Sequence, residues 1–455
     1  MASRDDEKDL QGSLNPVLKS GYFISKNSQD VVIPPEGIER AASSIYQIMK
    51  NKRYSYTIWK QHKLHPKVAD EEAIDWIFLV DLLNFSFWSE LDEEKNEKGE
   101  ARNSRFSIGY KGEQYTGYWS LCAAINRALD EGMSITKPSF YSSEMKLSDL
   151  DISHVFRSST QEKMPLLDER IRCIREAGKI LVERFEGSFI NCIKEARNSC
   201  MKLLDIIIEN FSSFRDESTF NGEKVVFYKR AQILIADIWA CFEGEGFGKF
   251  DDIDEITMFA DYRVPQALHH LGAISYSDNL LRTLESFVLL PNGSRLEKEI
   301  RGCSIWAVEL LRRAIKERIE RDNTHELIPK LNAITLDFFI WDFAKEHLDE
   351  SLVIQIIMTD RRCYERSHNN FCELSKPDAI HPGGTKEDDT NRMKRNNRQN
   401  NNWDRPKIRI SHSRIIASAD YFNFNKINML PRGHIDGKYA SVIVKDRNNV
   451  SRSSV

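Results

Sequence analysis

Apolar residues recur with helical period over most of residues 35–349. In PPEGIERAASSIYQIMKN, a proline start is followed by Ile38, Ala41, Ala42, Ile45 and Ile48 on one stripe, the signature of an amphipathic helix. The clearest period lies in SRLEKEIRGCSIWAVELLRRAIKERI, within a mostly helical stretch 284–349. Residues 117–132 read as a helix closed by Gly132, and PLLDERIRCIREAGKILVERF as one opening at Pro165 and ending near Gly187, because proline suits a first turn and glycine a C-cap. SFINCIKEARNSCMKLLDIIIENF reads as a single long amphipathic helix. IDWIFLVDLLNFSFW, residues 74–88, is almost continuously apolar and predicts a buried helix running into a short strand. RFSIGY and EQYTGY predict weak strands around Lys111-Gly112, and Asn221-Gly222 a second turn. With no internal repeat, the fold class is mainly α: a single large helical domain with a few short strands.

The ends break this pattern. Residues 1–15 lack apolar periodicity and are expected to be disordered. Residues 376–455 are polar and Asn-rich, with short apolar scraps only, and are expected to form a basic, disordered tail outside a folded body at 16–375. Charge follows the same division. The whole chain of 455 residues has a formal net charge of −4. Residues 376–455 hold 16 Lys+Arg against 8 Asp+Glu, a net of +8, and residues 1–375 hold 49 against 61, a net of −12. An acidic body argues against a duplex-binding face. No apolar run reaches 18 residues, the length a membrane helix needs, and the polar N-terminus lacks a signal peptide's apolar core. The eight cysteines form no CxxC pair. They read as reduced, buried thiols in a cytoplasmic or nuclear protein.

Three segments combine carboxylates, aromatics and apolar surroundings. In MFADYRVPQALHHLGAIS, Asp261 stands between Phe259 and Tyr262, before Arg263 and Pro265. Pro265 predicts an extended Val264 and puts Asp261 at a turn entering a helix. An N-cap role, with Arg263 as a surface partner, is the structural alternative. In AITLDFFIWDFAKEH, Asp337 and Asp342 are embedded among Leu336, Phe338, Phe339, Ile340, Trp341 and Phe343. A carboxylate there is either paired or raised in pKa. The alternative is one buried Asp bonded to backbone or Arg and one exposed Asp. Five residues apart, the two lie about 140° apart around a helix, so sharing one small pocket calls for a helix start or kink between them. In YTIWKQHKLHPKVADEEAIDWIFLVDLLNFSFW, Asn84, Phe85, Phe87 and Trp88 put an amide beside aromatics. That suits a flat heterocycle stacked on rings and read at its edge, and equally a plain core.

Other motifs carry less. His62 and His65 are three apart, but no Cys pair or Glu-x-x-His accompanies them, so no metal is expected. GEGFGK, residues 244–249, lacks the phosphate-loop spacing. Lys229-Arg230 suits a phosphate or a solvated surface. The basic tract 392–414 suits loose RNA contact or a solvated tail.

These segments resemble one family, the queuosine salvage proteins, also described as queuosine 5′-phosphate N-glycosylases/hydrolases. The resemblance rests on WKQHKLHP, DLLNFSFW, GYWSLCAAINRALDEG, FYKRAQILIADIW, FADYRVPQALHHLGAI, EIRGCSIWAVELL and LDFFIWDFAK, in that order over roughly residues 35–365. It implies a helical body like that of DNA glycosylases, with a helix-hairpin-helix-like element. It implies hydrolysis of the N-glycosidic bond of queuosine 5′-phosphate, releasing queuine for reinsertion into transfer RNA by another enzyme, with no metal or cofactor. Carried over by motif, Phe259 would stack on the base and Asp261 bond its edge. Asp337 and Asp342 would be the catalytic and ribose-binding carboxylates, with Asp337 as nucleophile or charge stabiliser. His62 would belong to the substrate site, and Trp88, Asn84, Tyr262 and Lys229 are further candidates. The implied partner is a small nucleotide, without membrane or stable nucleic-acid binding by the body. A base-excision or nucleic-acid-binding module of the glycosylase fold, and an inactive helical interaction protein, are the rival readings.

Overall fold

A computed structural model describes residues 12–87, 106–286 and 290–348, all within one compact unit, Met1–Ala379. Trp88 and the segment 376–455 lie outside the described residues. The described chain is mainly helical: α1 (Pro16–Asn27), α2 (Pro35–Lys52), α3 (Ile58–Gln61), α4 (Glu71–Leu82), α5 (Gly117–Asp130), α6 (Pro138–Tyr141), α7 (Asp149–Val155), α8 (Leu167–Arg184), α9 (Ile190–Ala196), α10 (Cys200–Asn210), α11 (Lys229–Cys241), α12 (Arg263–His270), α13 (Asp278–Glu285), α14 (Arg295–Asp322) and α15 (Ala333–His347). Six short strands form three antiparallel pairs: β1 (Val31–Val32) with β6 (Ser275–Tyr276), β2 (Ile108–Tyr110) with β3 (Glu113–Tyr115), and β4 (Glu217–Phe220) with β5 (Glu223–Val226). The two hairpins turn at Lys111-Gly112 and Asn221-Gly222, where both residues of each pair have positive φ, the mirror-type turn that matches strand twist.

The long helix α14 is the spine. It packs along α1 and α2 and also meets α12 and α15. Its contact with α1 needs glycine on both sides: a Cβ on Gly302 would lie 2.5 Å from Ile24, and one on Gly21 2.7 Å from Ile305. Helix α4 is buried on all faces, from Ala73 to Leu82, and packs against α11.

Four expectations change. Leu83–Phe87 after α4 is irregular, not a strand. The single helix expected at 188–211 is two, broken at Arg197 and Asn198, which both take positive φ. Val264 is helical, because Pro265 falls in the first turn of α12, where its missing N–H leaves no bond unmade. Ser13 and Asn15 belong to the body. Asn15 caps α1 and donates to Gln232 Oε1 at 2.9 Å and to the Glu255 carbonyl at 2.8 Å.

Candidate active site

Three chain segments meet where α11, α12 and α15 approach. The FADYR segment leads into α12, and its Phe259 N–H donates to Asp337 Oδ1 at 2.9 Å. Asp261 Oδ1 accepts the N–H groups of Arg263 at 2.9 Å and Val264 at 2.8 Å. Asp261, one residue ahead of the N-cap Tyr262, thus satisfies the first two N–H groups of α12. Arg263, however, is buried and reaches Gln266 Oε1 at 3.2 Å, so it is no surface partner. Lys229 opens α11 and lies close enough for Asp261 and Asp337 both to act on its charge.

Arg301 of α14 holds this arrangement together from below. Buried itself, it donates through Nε to the Ala260 carbonyl at 3.2 Å and through Nη1 to Asp216 Oδ1 at 3.0 Å. Asp216 Oδ2 in turn accepts the Lys229 N–H at 3.4 Å. One guanidinium thus fixes both the segment carrying Asp261 and the start of the helix carrying Lys229.

The two carboxylates have unlike environments. Burial pushes Asp337 well above the ordinary carboxylate range, and the neighbouring Asp261 pushes it further; the Phe259 N–H and Lys229 offset only part. Burial also raises Asp261, but Lys229 and the N–H groups of Val264 and Arg263 favour its charged form. Asp261 is half-buried while Asp337 is 4% exposed. The pair therefore offers one carboxylate that ionises more readily and one that keeps its proton, the combination needed for acid–base or charge-stabilising work.

Aromatic rings border the carboxylates. Phe259 is buried against half-buried Phe338, ring centroids 6.2 Å apart. On α15, Trp341 meets the edge of Trp119 at 6.0 Å, and His62 stacks on Trp119 at 3.4 Å. Burial, then Lys63 and Lys67, lower His62 to about 4, so its ring is neutral at pH 7. Tyr262 is half-buried beside Asp261.

Helix α15 runs unbroken from Ala333 to His347, so the expected kink is absent and Asp342 points elsewhere. It accepts the Tyr54 hydroxyl at 2.6 Å and borders a cavity of about 320 Å³ with Lys52, Gln61, Phe339 and Glu346. Burial raises it to about 6, although the Tyr54 bond favours its charge. Asn84 contributes its backbone: Lys229 Nζ donates to the Asn84 carbonyl at 3.4 Å, while the Asn84 amide donates to Asp81 Oδ1 at 3.3 Å. Phe85 lies between two guanidinium groups, Arg170 at 4.4 Å and Arg230 at 4.7 Å.

Sequence reasoning missed Asp81 and Asp237, both fully or almost fully buried on α4 and α11. Each is a lone carboxylate in an apolar run, LVDLL and IADIW, the same signal that singled out Asp337. Among the described residues no group of His, Cys, Asp and Glu could hold a metal, and no helix is long and apolar enough to cross a membrane.

Comparison with known proteins gives this geometry a context. The family described as "Queuosine salvage protein" matches residues 64–364. A Schizosaccharomyces pombe protein named queuosine 5′-phosphate N-glycosylase/hydrolase is 47% identical over 333 residues, which is 73% of this chain and 92% of its own length. A Mus musculus protein of the same name is 46% identical over 333 residues, covering 73% of this chain and 94% of its own. One from Sphaerobacter thermophilus is 38% identical over 302 residues, covering 66% of this chain and 85% of its own. All of the described site, from His62 to Asp342, falls within or directly beside the matched region, and the chain belongs to the queuosine salvage protein family.

Proposed function

We propose that this chain hydrolyses the N-glycosidic bond of queuosine 5′-phosphate, releasing queuine and ribose 5-phosphate. The names of its relatives supply the substrate. The observation that carries the reading is the meeting of Asp261, Asp337 and Lys229 beside aromatic rings.

Cleavage of an N-glycoside builds positive charge on the sugar and negative charge on the leaving base. Asp261, half-buried and favoured as an anion by Lys229, suits the sugar: it stabilises or traps the oxocarbenium-like carbon. Asp337, pushed toward its neutral form, suits the base: it donates a hydrogen bond or proton to the departing ring. This division is the reverse of the one that the motif resemblance implies, and it follows from the two environments. Water then adds to the sugar carbon and its proton leaves through a carboxylate. Phe259 and Phe338 form the ring wall for the base, with Phe338 the more exposed face. Tyr262 adjoins Asp261, His62 reaches α15 through Trp119 and Trp341, and Lys229 can also meet an anionic group of the nucleotide.

Asp342 lies about 7.5 Å along α15 from Asp337. It suits a contact to the far end of an extended nucleotide. The residues of the proposed site all lie within the unit Met1–Ala379. Cys122, Cys192, Cys200, Cys241 and Cys303 are free and buried, which suits a reducing compartment such as the cytoplasm. Incubating the full chain with queuosine 5′-phosphate and assaying free queuine tests the proposal. Turnover supports it, and intact substrate refutes it.

A further inference from the structure

Behind the site lies a second acidic pair that the reaction does not touch. Asp81 is 0% exposed and Asp237 is 3% exposed, on the packed helices α4 and α11. Asp81 Oδ2 is buried with no hydrogen-bond partner, and the indole N–H of Trp59 faces Asp237 and favours its charged form. Asp81 Oδ1 accepts the Asn84 amide at 3.3 Å, and the Asn84 carbonyl accepts Lys229 Nζ at 3.4 Å. A two-bond chain therefore runs from Asp81 through one residue to Lys229.

Resting on the function proposed above, we propose that Asp81 is a positioning residue: its carboxylate, acting from behind through Asn84, keeps the Lys229 ammonium charged and facing Asp261 and Asp337.

The charges around Lys229 support this. Asp261, Asp81 and Asp337 favour its ammonium, Arg230 opposes it, and Asp216 takes its backbone N–H. Burial pushes Lys229 toward its neutral form. Asp81 and Asp237 repel each other, so the two do not both carry charge in so dry a place. Asp237 is pushed the further up, while Lys229, Asn84 and Arg230 pull Asp81 back. Burial raises Asp81 to about 7 and Asp237 further still, so Asp81 is the member of the pair that gives up its proton first. Tyr118 and Cys122 also face the pair, and both stay neutral, their pKa values raised by burial. An ammonium that lost its rear counter-charge would release its proton at lower pH.

The test uses the full chain and reads Lys229 directly. Trace acetylation with acetic anhydride across a pH series, quantified peptide by peptide by mass spectrometry, gives the pH at which Lys229 becomes reactive. In Asp81→Asn that pH falls by about one unit or more, and the basic limb of kcat/KM for queuosine 5′-phosphate moves down with it. Asp81→Glu restores both. Asp237→Asn, which imitates the neutral acid, leaves the Lys229 midpoint in place. Should Asp81→Asn fail to fold, Asn84→Ala carries the test, with a smaller shift in the same direction. An unmoved Lys229 midpoint in a folded variant, or an equal shift in Asp237→Asn, overturns the inference. Wild type that releases no queuine overturns the proposed function instead, and the acetylation midpoint still decides the role of Asp81.

Discussion

The backbone N–H of Phe259 is bonded to the carboxylate of Asp337 at 2.9 Å across 78 residues of sequence. One side chain thus both anchors the segment carrying Asp261 and confronts Asp261 across the site. Substitutions separate the two duties. Asp337→Asn keeps an oxygen for the Phe259 N–H and imitates the neutral acid, so its unfolding midpoint should stay near wild type. Asp337→Ala leaves that N–H buried and unpaired, which costs about 1–3 kcal/mol. Denaturant melts of the two variants check this. Equal losses in both would show that the hydrogen bond does not hold the segment.

The bond from Tyr54 to Asp342 makes a different prediction, about substrate affinity. The hydroxyl at 2.6 Å helps Asp342 to ionise, and burial raises it to about 6. Tyr54→Phe removes that help, so the Asp342 pKa rises. If Asp342 meets the far end of the nucleotide as an anion, KM should rise below about pH 7 in the variant while kcat changes little. An unchanged KM across pH 5.5–8 would remove Asp342 from the substrate site.

His65 predicts the pH dependence of stability. Its Nδ1 lies 2.8 Å from the Trp59 carbonyl and its Nε2 3.0 Å from the Tyr118 hydroxyl. The carbonyl can only accept, so Nδ1 carries the proton and Nε2 accepts from Tyr118. Burial lowers this imidazole from 6.5 to about 3. The sign follows: below pH 6.5 the unfolded chain takes up a proton that the folded chain refuses until about pH 3. The His65 contribution is therefore whole above pH 6.5 and is lost as pH falls, at up to about 1.4 kcal/mol per unit. His65→Asn should flatten the slope of unfolding free energy between pH 6.5 and 4 relative to wild type. An identical slope in both would contradict the assignment.

Arg170 predicts what holds the loop after α4. It donates to the carbonyls of Leu83, Phe85 and Ser86, and a lysine cannot reproduce that fork. Arg170→Lys should lose about 1–3 kcal/mol and weaken substrate binding, because the loop carries the Asn84 carbonyl that receives Lys229. Wild-type stability and KM in the variant would show that the loop is held by other contacts.

The parts of this molecule that the sequence displays are those governed by local rules. Periodicity locates α2 and α14, and the Asn-Gly turn locates the β4–β5 hairpin, because each depends on near neighbours. Asp261 and Asp337 are visible as carboxylates among aromatics. The break between α9 and α10 is hidden because Arg197 and Asn198 adopt left-handed backbone without a glycine to announce it. Asp342 reads like Asp337 in sequence, yet an unbroken helix turns it toward Tyr54. The roles of Arg301 and Asp81 are invisible for another reason. Arg301 reaches Ala260 and Asp216 across tens of residues, and Asp81 meets Lys229 only because the fold brings the Asn84 carbonyl to it; no spacing rule encodes contacts that the tertiary fold alone creates.

The central claim is that Asp261 and Asp337 together cleave the nucleotide, with Asp261 as the charged partner. Single-turnover release of queuine from queuosine 5′-phosphate by wild type and Asp261→Asn tests it most directly. The asparagine still accepts the N–H groups of Arg263 and Val264, so the site keeps its shape while losing its charge. The account predicts release by wild type and a rate about 10³-fold lower or more in the variant. Release by the folded variant within about tenfold of wild type, or none by wild type, would contradict it.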